Sequence, residues 1–116
     1  MISPHFRRKE FLCRCSDCGF NTVDVELLRY LELIRTHFEA PVKVNSGCRC
    51  VEYNASIGGA TRSQHTKGRA ADIIVSGFSP SVVADFAESI KVPGIGRYDT
   101  FTHVDSRNGV ARWGMI

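Results

Sequence analysis

Two histidines and two aspartates lie where strand geometry could bring them together: His65, Asp72, His103 and Asp105. The first pair falls in Ser63-Gln64-His65-Thr66-Lys67-Gly68-Arg69-Ala70-Ala71-Asp72. Gly68 allows a tight turn after His65, and Ala70 and Ala71 let backbone approach closely. With a strand starting near Arg69, Ala70 and Asp72 point to one face while Ala71 and Ile73 point to the other. His65, on the loop entering that strand, can fold back over the face that carries Asp72. In Phe101-Thr102-His103-Val104-Asp105 the same period puts His103 and Asp105 on one face and Val104 on the other. Two imidazoles and a carboxylate from neighbouring strands would give three metal ligands with a fourth position open, the layout of a catalytic zinc rather than a structural one. Such an ion lowers the pKa of bound water to roughly 7 and polarises a carbonyl. The competing reading, ordinary surface or hydrogen-bonded polar residues, is left open by spacing alone.

The elements that must position these groups are readable from periodicity. Leu27, Leu31, Ile34 and Phe38 recur at helical spacing, with Asn21 or Thr22 as cap, Asp24 in the first turn and Pro41 as a stop. Residues 42–45 alternate and are β-branched, which predicts a short strand. A short helix is expected over 49–57, stopped by Gly58-Gly59, and residues 58–68 are the longest loop-like stretch. Residues 69–75 make the best central strand. Ser79 as cap and Pro80 at the first helical position open a second long helix with Val82, Val83, Phe86 and Ile90 as its apolar stripe. Extended pieces follow at 95–98 and 101–105, then a hairpin signal at Asn108-Gly109 and a last strand around 111–113. The expected fold is α+β: a small, mostly antiparallel sheet with helices packed on one side.

At 116 residues the chain is read as one domain, with residues 1–20 as an irregular, cysteine-containing arm. The composition, 43% hydrophobic and 23% charged, is that of a globular protein rather than a disordered one. No apolar run approaches the roughly 18 residues of a membrane span. A net charge of +3, from 15 basic and 12 acidic residues that are interspersed, does not point to nucleic acid. Residues 1–11 are too charged to form an export signal, so synthesis in the cytoplasm is expected. In that reducing compartment the odd count of five cysteines points to thiols or metal ligands rather than a disulfide scaffold. Cys13, Cys15 and Cys18 with Cys48 and Cys50 could supply a second, structural zinc, form a disulfide between the two clusters, or remain thiols. Trp113 is expected to close the small core, with a place on a binding cleft as the other option.

The segment Ser63-x-His65-x-x-Gly68-x-Ala70-x-Asp72, with His103-x-Asp105 later in the chain, resembles the zinc D,D-carboxypeptidase family of peptidoglycan peptidases, whose fold is shared with the hedgehog signalling domain. Ser46-Gly47-Cys48-Arg49, Tyr53-Asn54, Gly58-Gly59-Ala60 and Gly94-Ile95-Gly96-x-Tyr98 extend the resemblance over roughly residues 6–114. It implies His65, Asp72 and His103 as ligands of one catalytic zinc, and Arg49 as the group that holds a substrate carboxylate, a role that suits a guanidinium fork. Ser63 and Gln64 could donate hydrogen bonds to the peptide. Many relatives place the catalytic carboxylate three residues before the final histidine, where this chain has Thr100. Asp105 is therefore favoured as the base, with a role orienting a metal-bound histidine as its other reading. Asp99 is the alternative base.

The resemblance implies a zinc-dependent peptidase, expected to be monomeric, that cuts the stem peptides of peptidoglycan as a carboxypeptidase or endopeptidase. A phage endolysin or virion-associated enzyme, acting on the wall after release, would fit. A non-catalytic zinc-containing binding module of the same fold is the first rival. A cysteine-rich nucleic-acid binder, suggested by Cys13 to Cys18 and Arg7-Arg8-Lys9, is the second.

Overall fold

Leu27, Leu31 and Ile34 are completely buried on one face of helix α1 (Val25–Phe38), as their spacing predicts. The computed structural model that shows this describes residues 2–15, 18–60 and 63–114. Asp24 is the cap of α1, accepting the Leu27 amide at 3.3 Å, in place of Asn21 or Thr22. The reason lies in the partner of the Asp24 amide, the Gly68 carbonyl at 2.8 Å, which keeps the chain extended up to that residue. Between the two long helices in the chain come a short helix α2 (Val51–Ser56) and a 3-10 turn at Gln64–Lys67. The second long helix, α3 (Pro80–Ser89), starts as expected, with Ser79 Oγ accepting the Val82 amide and proline at the first position. Its buried face is Val83, Ala84 and Ala87, with Phe86 and Ile90 partly covered and Val82 exposed. Two of the buried residues are alanines, which lets the helix axis lie close to the strands below.

Among the described residues five strands form one mixed sheet: β1 (Val42–Ser46), β2 (Ala70–Val75), β3 (Gly94–Arg97), β4 (Thr102–Asp105) and β5 (Ala111–Gly114), in the order β1-β2-β4-β3-β5. The pairings β1–β2, β2–β4 and β3–β4 are antiparallel, and β3–β5 is parallel. The hairpin expected from Asn108-Gly109 does not form. β4 already has β2 on one edge and β3 on the other, so no edge is left for β5. Gly109, at φ +81°, still turns the chain, but the turn carries it past β3 to the outer edge of that strand.

Alternation then divides the sheet. Val42, Val44, Ala71, Ile73, Val75, Ile95 and Val104 face α1 and α3 and form the core. Asp72, His103 and Asp105 point to the opposite face. The arm expected to be irregular contributes to the core: Phe6 and Phe11 are buried, with ring centroids 6.1 Å apart, and residues Arg8–Phe11 form a 3-10 turn. Burying a phenylalanine contributes on the order of 1.5–3 kcal/mol, so this arm is part of what holds the fold. Ser16, Asp17, Thr61 and Arg62 fall within stretches read from the sequence as arm and loop, and lie outside the described residues. Among the described residues no helix is long and apolar enough to cross a membrane.

Candidate metal centre and cleft

The strand register lays a row of residues across the face opposite the helices. Asp72 of β2 pairs with His103 of β4, His103 with Gly96 of β3, and Gly96 with Trp113 of β5. A second row runs Ala70, Asp105, Gly94 and Ala111. Ala70, Ala111 and the two glycines are the small members of these rows. A Cβ on Gly94 would collide with the Asp105 carboxylate, and one on Gly96 would come within 2.7 Å of the Trp113 indole nitrogen. Their absence lets Asp105 lie behind His103 and lets Trp113 reach over to it, with ring centroids 4.9 Å apart.

His65 is delivered by the 3-10 turn before β2. Ser63 Oγ caps that turn by accepting the His65 amide, and Gly68, in the left-handed region at φ +69°, ends it. A Cβ on Gly68 would also run into the Thr22 carbonyl at 2.6 Å. The three groups meet at a single carboxylate oxygen. Asp72 Oδ1 lies 3.2 Å from His65 Nε2 and 2.9 Å from His103 Nδ1, and all three residues are buried.

The far nitrogens fix both tautomers. His65 Nδ1 is 2.6 Å from the Gly47 carbonyl, which can only accept, so Nδ1 carries the proton. His103 Nε2 is 2.7 Å from Asp105 Oδ2, and Asp105 is held ionised by Arg107, so Nε2 carries the proton there. In neutral imidazoles this leaves two nitrogen lone pairs aimed at one carboxylate oxygen. Acceptor facing acceptor at such distances is repulsive unless a positive charge sits between them, either a further proton on each ring or a metal ion. His65, Asp72 and His103 offer ligand atoms that all lie within 4.8 Å of one another. Two imidazoles and a carboxylate suit zinc or a similar divalent ion, so this donor set fits the expected metal.

The same contacts set the electrostatics. Burial would raise the Asp72 pKa, but the two imidazoles outweigh it and hold the carboxyl well below the usual range. Burial disfavours the His103 imidazolium, yet Asp105 and Asp72 on either side raise its pKa overall. For Asp105 burial again pushes upward, and His103 with Arg107 drives the carboxyl far below its ordinary value.

Asp105 and Asp99 sit very differently from one another. The Asp105 side chain has no exposure. Its Oδ1 accepts the Arg107 amide at 3.2 Å and Arg107 Nε at 2.8 Å, and its Oδ2 accepts Arg107 Nη2 and His103 Nε2, both at 2.7 Å. No lone pair is left facing the cleft. Asp99 is exposed in the turn between β3 and β4, beside Tyr98 and close in sequence to Phe101.

A cleft of about 460 Å³ opens over His65, Asp72 and His103, and Arg49, Ser63 and Gln64 are among the residues on its wall. Arg49 is already engaged: Nε donates to Ser46 Oγ, Nη1 to Asn54 Oδ1 and Nη2 to Asp72 Oδ2, each at 3.2 Å. A guanidinium has five N–H donors, so one remains on each Nη for a ligand. The buried Gln64 Oε1 has no hydrogen-bond partner among the described residues. Trp113 belongs to this wall rather than to the core, its Nε1 donating to Tyr98 Oη at 2.8 Å and its ring lying under Arg107. The Gly47 carbonyl, Asn54 and Arg107 are functional neighbours to which the sequence alone assigned no role. Only Arg107, two residues beyond Asp105 on the same turn, left a local signal that could have found it.

The chain is 34% identical over 73 residues to the peptidoglycan L,D-endopeptidase MepK of Escherichia coli K12, and equally so to the protein of that name in Shigella flexneri. The matched region is 57% of this chain and 40% of each relative, so the chain spans well under half the length of these curated proteins. The model of the Peptidase M15 family matches residues 4–105, from the arm through β4, and the chain belongs to that family.

Proposed function

We propose that this chain is a zinc-dependent peptidase acting on the stem peptides of bacterial peptidoglycan, with endopeptidase action the form favoured by the likeness to MepK. The observation that carries the reading is the convergence of two tautomer-fixed imidazole lone pairs on Asp72 Oδ1 at the floor of an open cleft. A divalent ion held there by His65, Asp72 and His103 would supply a water of lowered pKa and would polarise a substrate carbonyl.

The chain's own groups do the rest. The Gly47 carbonyl and Asp105 hold the outer protons of His65 and His103, keeping the inner nitrogens as ligands. Asp105 is thereby a positioning residue. For the proton-accepting role the other carboxylate considered is Asp99, which is exposed and next in sequence to Tyr98 on the cleft wall but is not itself one of the lining residues. The two remaining Arg49 N–H groups suit a substrate carboxylate, and Gln64 lies on the same wall. Ser63 acts through His65, whose turn it caps. The Trp113 indole shields the His103 side of the cleft from water.

The test is digestion of purified sacculi by chelator-stripped and zinc-restored protein, read by mass spectrometry of the muropeptides. Stem-peptide cleavage is expected only after zinc is restored, and the product masses identify the bond. Equal digestion by both preparations would sink the reading. Zinc-loaded protein that cuts no muropeptide would favour a binding module of the same fold. In the same digests Arg49→Lys, which keeps the charge but loses the fork, is expected to raise KM about tenfold, roughly 1.4 kcal/mol, with kcat little changed.

A further inference from the structure

Outside the cleft, four of the five cysteines gather at one place. Cys13, Cys15, Cys18 and Cys50 have sulfur atoms that all lie within 4.8 Å of one another, and Cys15 and Cys18 are 3.3 Å apart. That separation is far above the roughly 2.05 Å of a disulfide bond. It is of the order expected for thiolates on one tetrahedral ion, where Zn–S bonds of about 2.3 Å place sulfurs nearly 4 Å apart.

Backbone amides point at three of these sulfurs. The Phe20 amide donates to Cys18 Sγ at 3.3 Å, the Cys50 amide to Cys13 Sγ at 3.3 Å and the Tyr53 amide to Cys50 Sγ at 3.4 Å. Gly19, at φ +67°, makes the turn that brings the Phe20 amide round to Cys18. Cys48 is different in kind. Its buried Sγ lies 3.0 Å from the Phe11 carbonyl and 2.9 Å from the Phe20 carbonyl. Carbonyls only accept, so this sulfur is a thiol that donates. The odd fifth cysteine is thus a packed thiol, and the other four make a complete set.

We propose that Cys13, Cys15, Cys18 and Cys50 form a second, structural zinc site that clips the N-terminal arm to the start of α2. Four soft sulfur ligands with no open position are the pattern of a structural ion. The clip joins parts of the chain 37 residues apart, at a point next to Arg49 and close in sequence to Gly47. The site therefore steadies the segment that presents the Arg49 guanidinium and the Gly47 carbonyl to the metal centre, and the binding energy of its ion adds to folding.

The experiment is a cobalt(II) titration of the reduced protein under anaerobic conditions, followed in the ultraviolet and visible, with zinc content measured separately. The wild type is expected to bind two ions per chain, one of them giving intense thiolate-to-cobalt charge transfer and tetrahedral ligand-field bands. His65→Ala keeps those sulfur bands and loses the other ion. Cys15→Ser combined with Cys18→Ser loses the bands and one zinc per chain. If that double variant fails to fold, the wild-type and His65→Ala spectra still decide. Absence of thiolate-to-cobalt charge transfer in the reduced wild type would overturn the proposal, as would unchanged zinc content in a folded double variant.

Discussion

His65→Ala is expected to abolish hydrolysis of peptidoglycan stem peptides and to lower the zinc content by one ion per chain, while the fold survives. The variant removes one of three convergent ligands and leaves Asp72 and His103, too few to hold a catalytic ion firmly. Metal polarisation contributes several kcal/mol to such reactions, so a loss on the order of 10³-fold or more in kcat/KM is the scale to look for. Survival of the fold has its own argument. The change orphans the Gly47 carbonyl, a cost of about 1–3 kcal/mol. It also removes a nitrogen lone pair that faces Asp72 Oδ1 at 3.2 Å, which relieves the metal-free protein. Muropeptide analysis, zinc content and circular dichroism on the same preparation separate the outcomes. Normal digestion by a zinc-poor, folded His65→Ala protein would remove the metal from the mechanism.

How much of this was visible in the sequence depends on what kind of signal each feature leaves. The meeting of Asp72 with His103 was legible because strand alternation is strict, and a period of two places both on one face once the strands are recognised. His65 was legible because Gly68 announces the turn that returns it. The helix α1 was legible in its apolar spacing, but its first residue was not, since the Asp24 amide is claimed by the distant Gly68 carbonyl. The fate of β5 was hidden for a similar reason. Asn108-Gly109 is a local hairpin signal, and only the full strand order reveals that β4 has no edge to offer. Phe6 and Phe11 lie too near each other, and in too irregular a segment, to show a period, so their burial could not be read. The Gly47 carbonyl is backbone and leaves no trace in residue types. The five cysteines could be counted but not sorted, because Cys48 and Cys50 are close in sequence with opposite surroundings.

Asp105→Asn is the second large effect expected, and it separates orientation from proton transfer. Asparagine can still accept from the Arg107 amide and Nε through a carbonyl oxygen at the Oδ1 position, while Arg107 Nη2 loses its acceptor. Its amide group then faces His103 Nε2 as a donor and turns that nitrogen into an acceptor. The ring proton moves to Nδ1, the atom 2.9 Å from Asp72 Oδ1 that must be bare to bind a metal. Loss of such an orienting partner costs roughly 10–100-fold in metal affinity or activity. We expect zinc affinity, measured by competition with a chelating dye, to fall together with activity, and excess zinc to restore part of the rate. Asp99→Asn is the contrast, with reduced kcat at unchanged zinc affinity. If Asp105→Asn lost activity while binding zinc as tightly as the wild type, Asp105 would be the base after all.

The crossing from β4 to β5 does more than close the sheet. Ser106 Oγ donates to Asp24 Oδ2 at 2.7 Å, tying the crossing to the cap of α1, and Arg107 locks Asp105 from the same short segment. Beyond them Asn108, Gly109 and Val110 are exposed. For protein engineering this divides one loop into two unlike halves. Length or sequence can be added at residues 108–110 with little effect on the scaffold. A single residue inserted between Asp105 and Arg107 would slide the guanidinium off the carboxylate and free the His103 ring to choose its other tautomer.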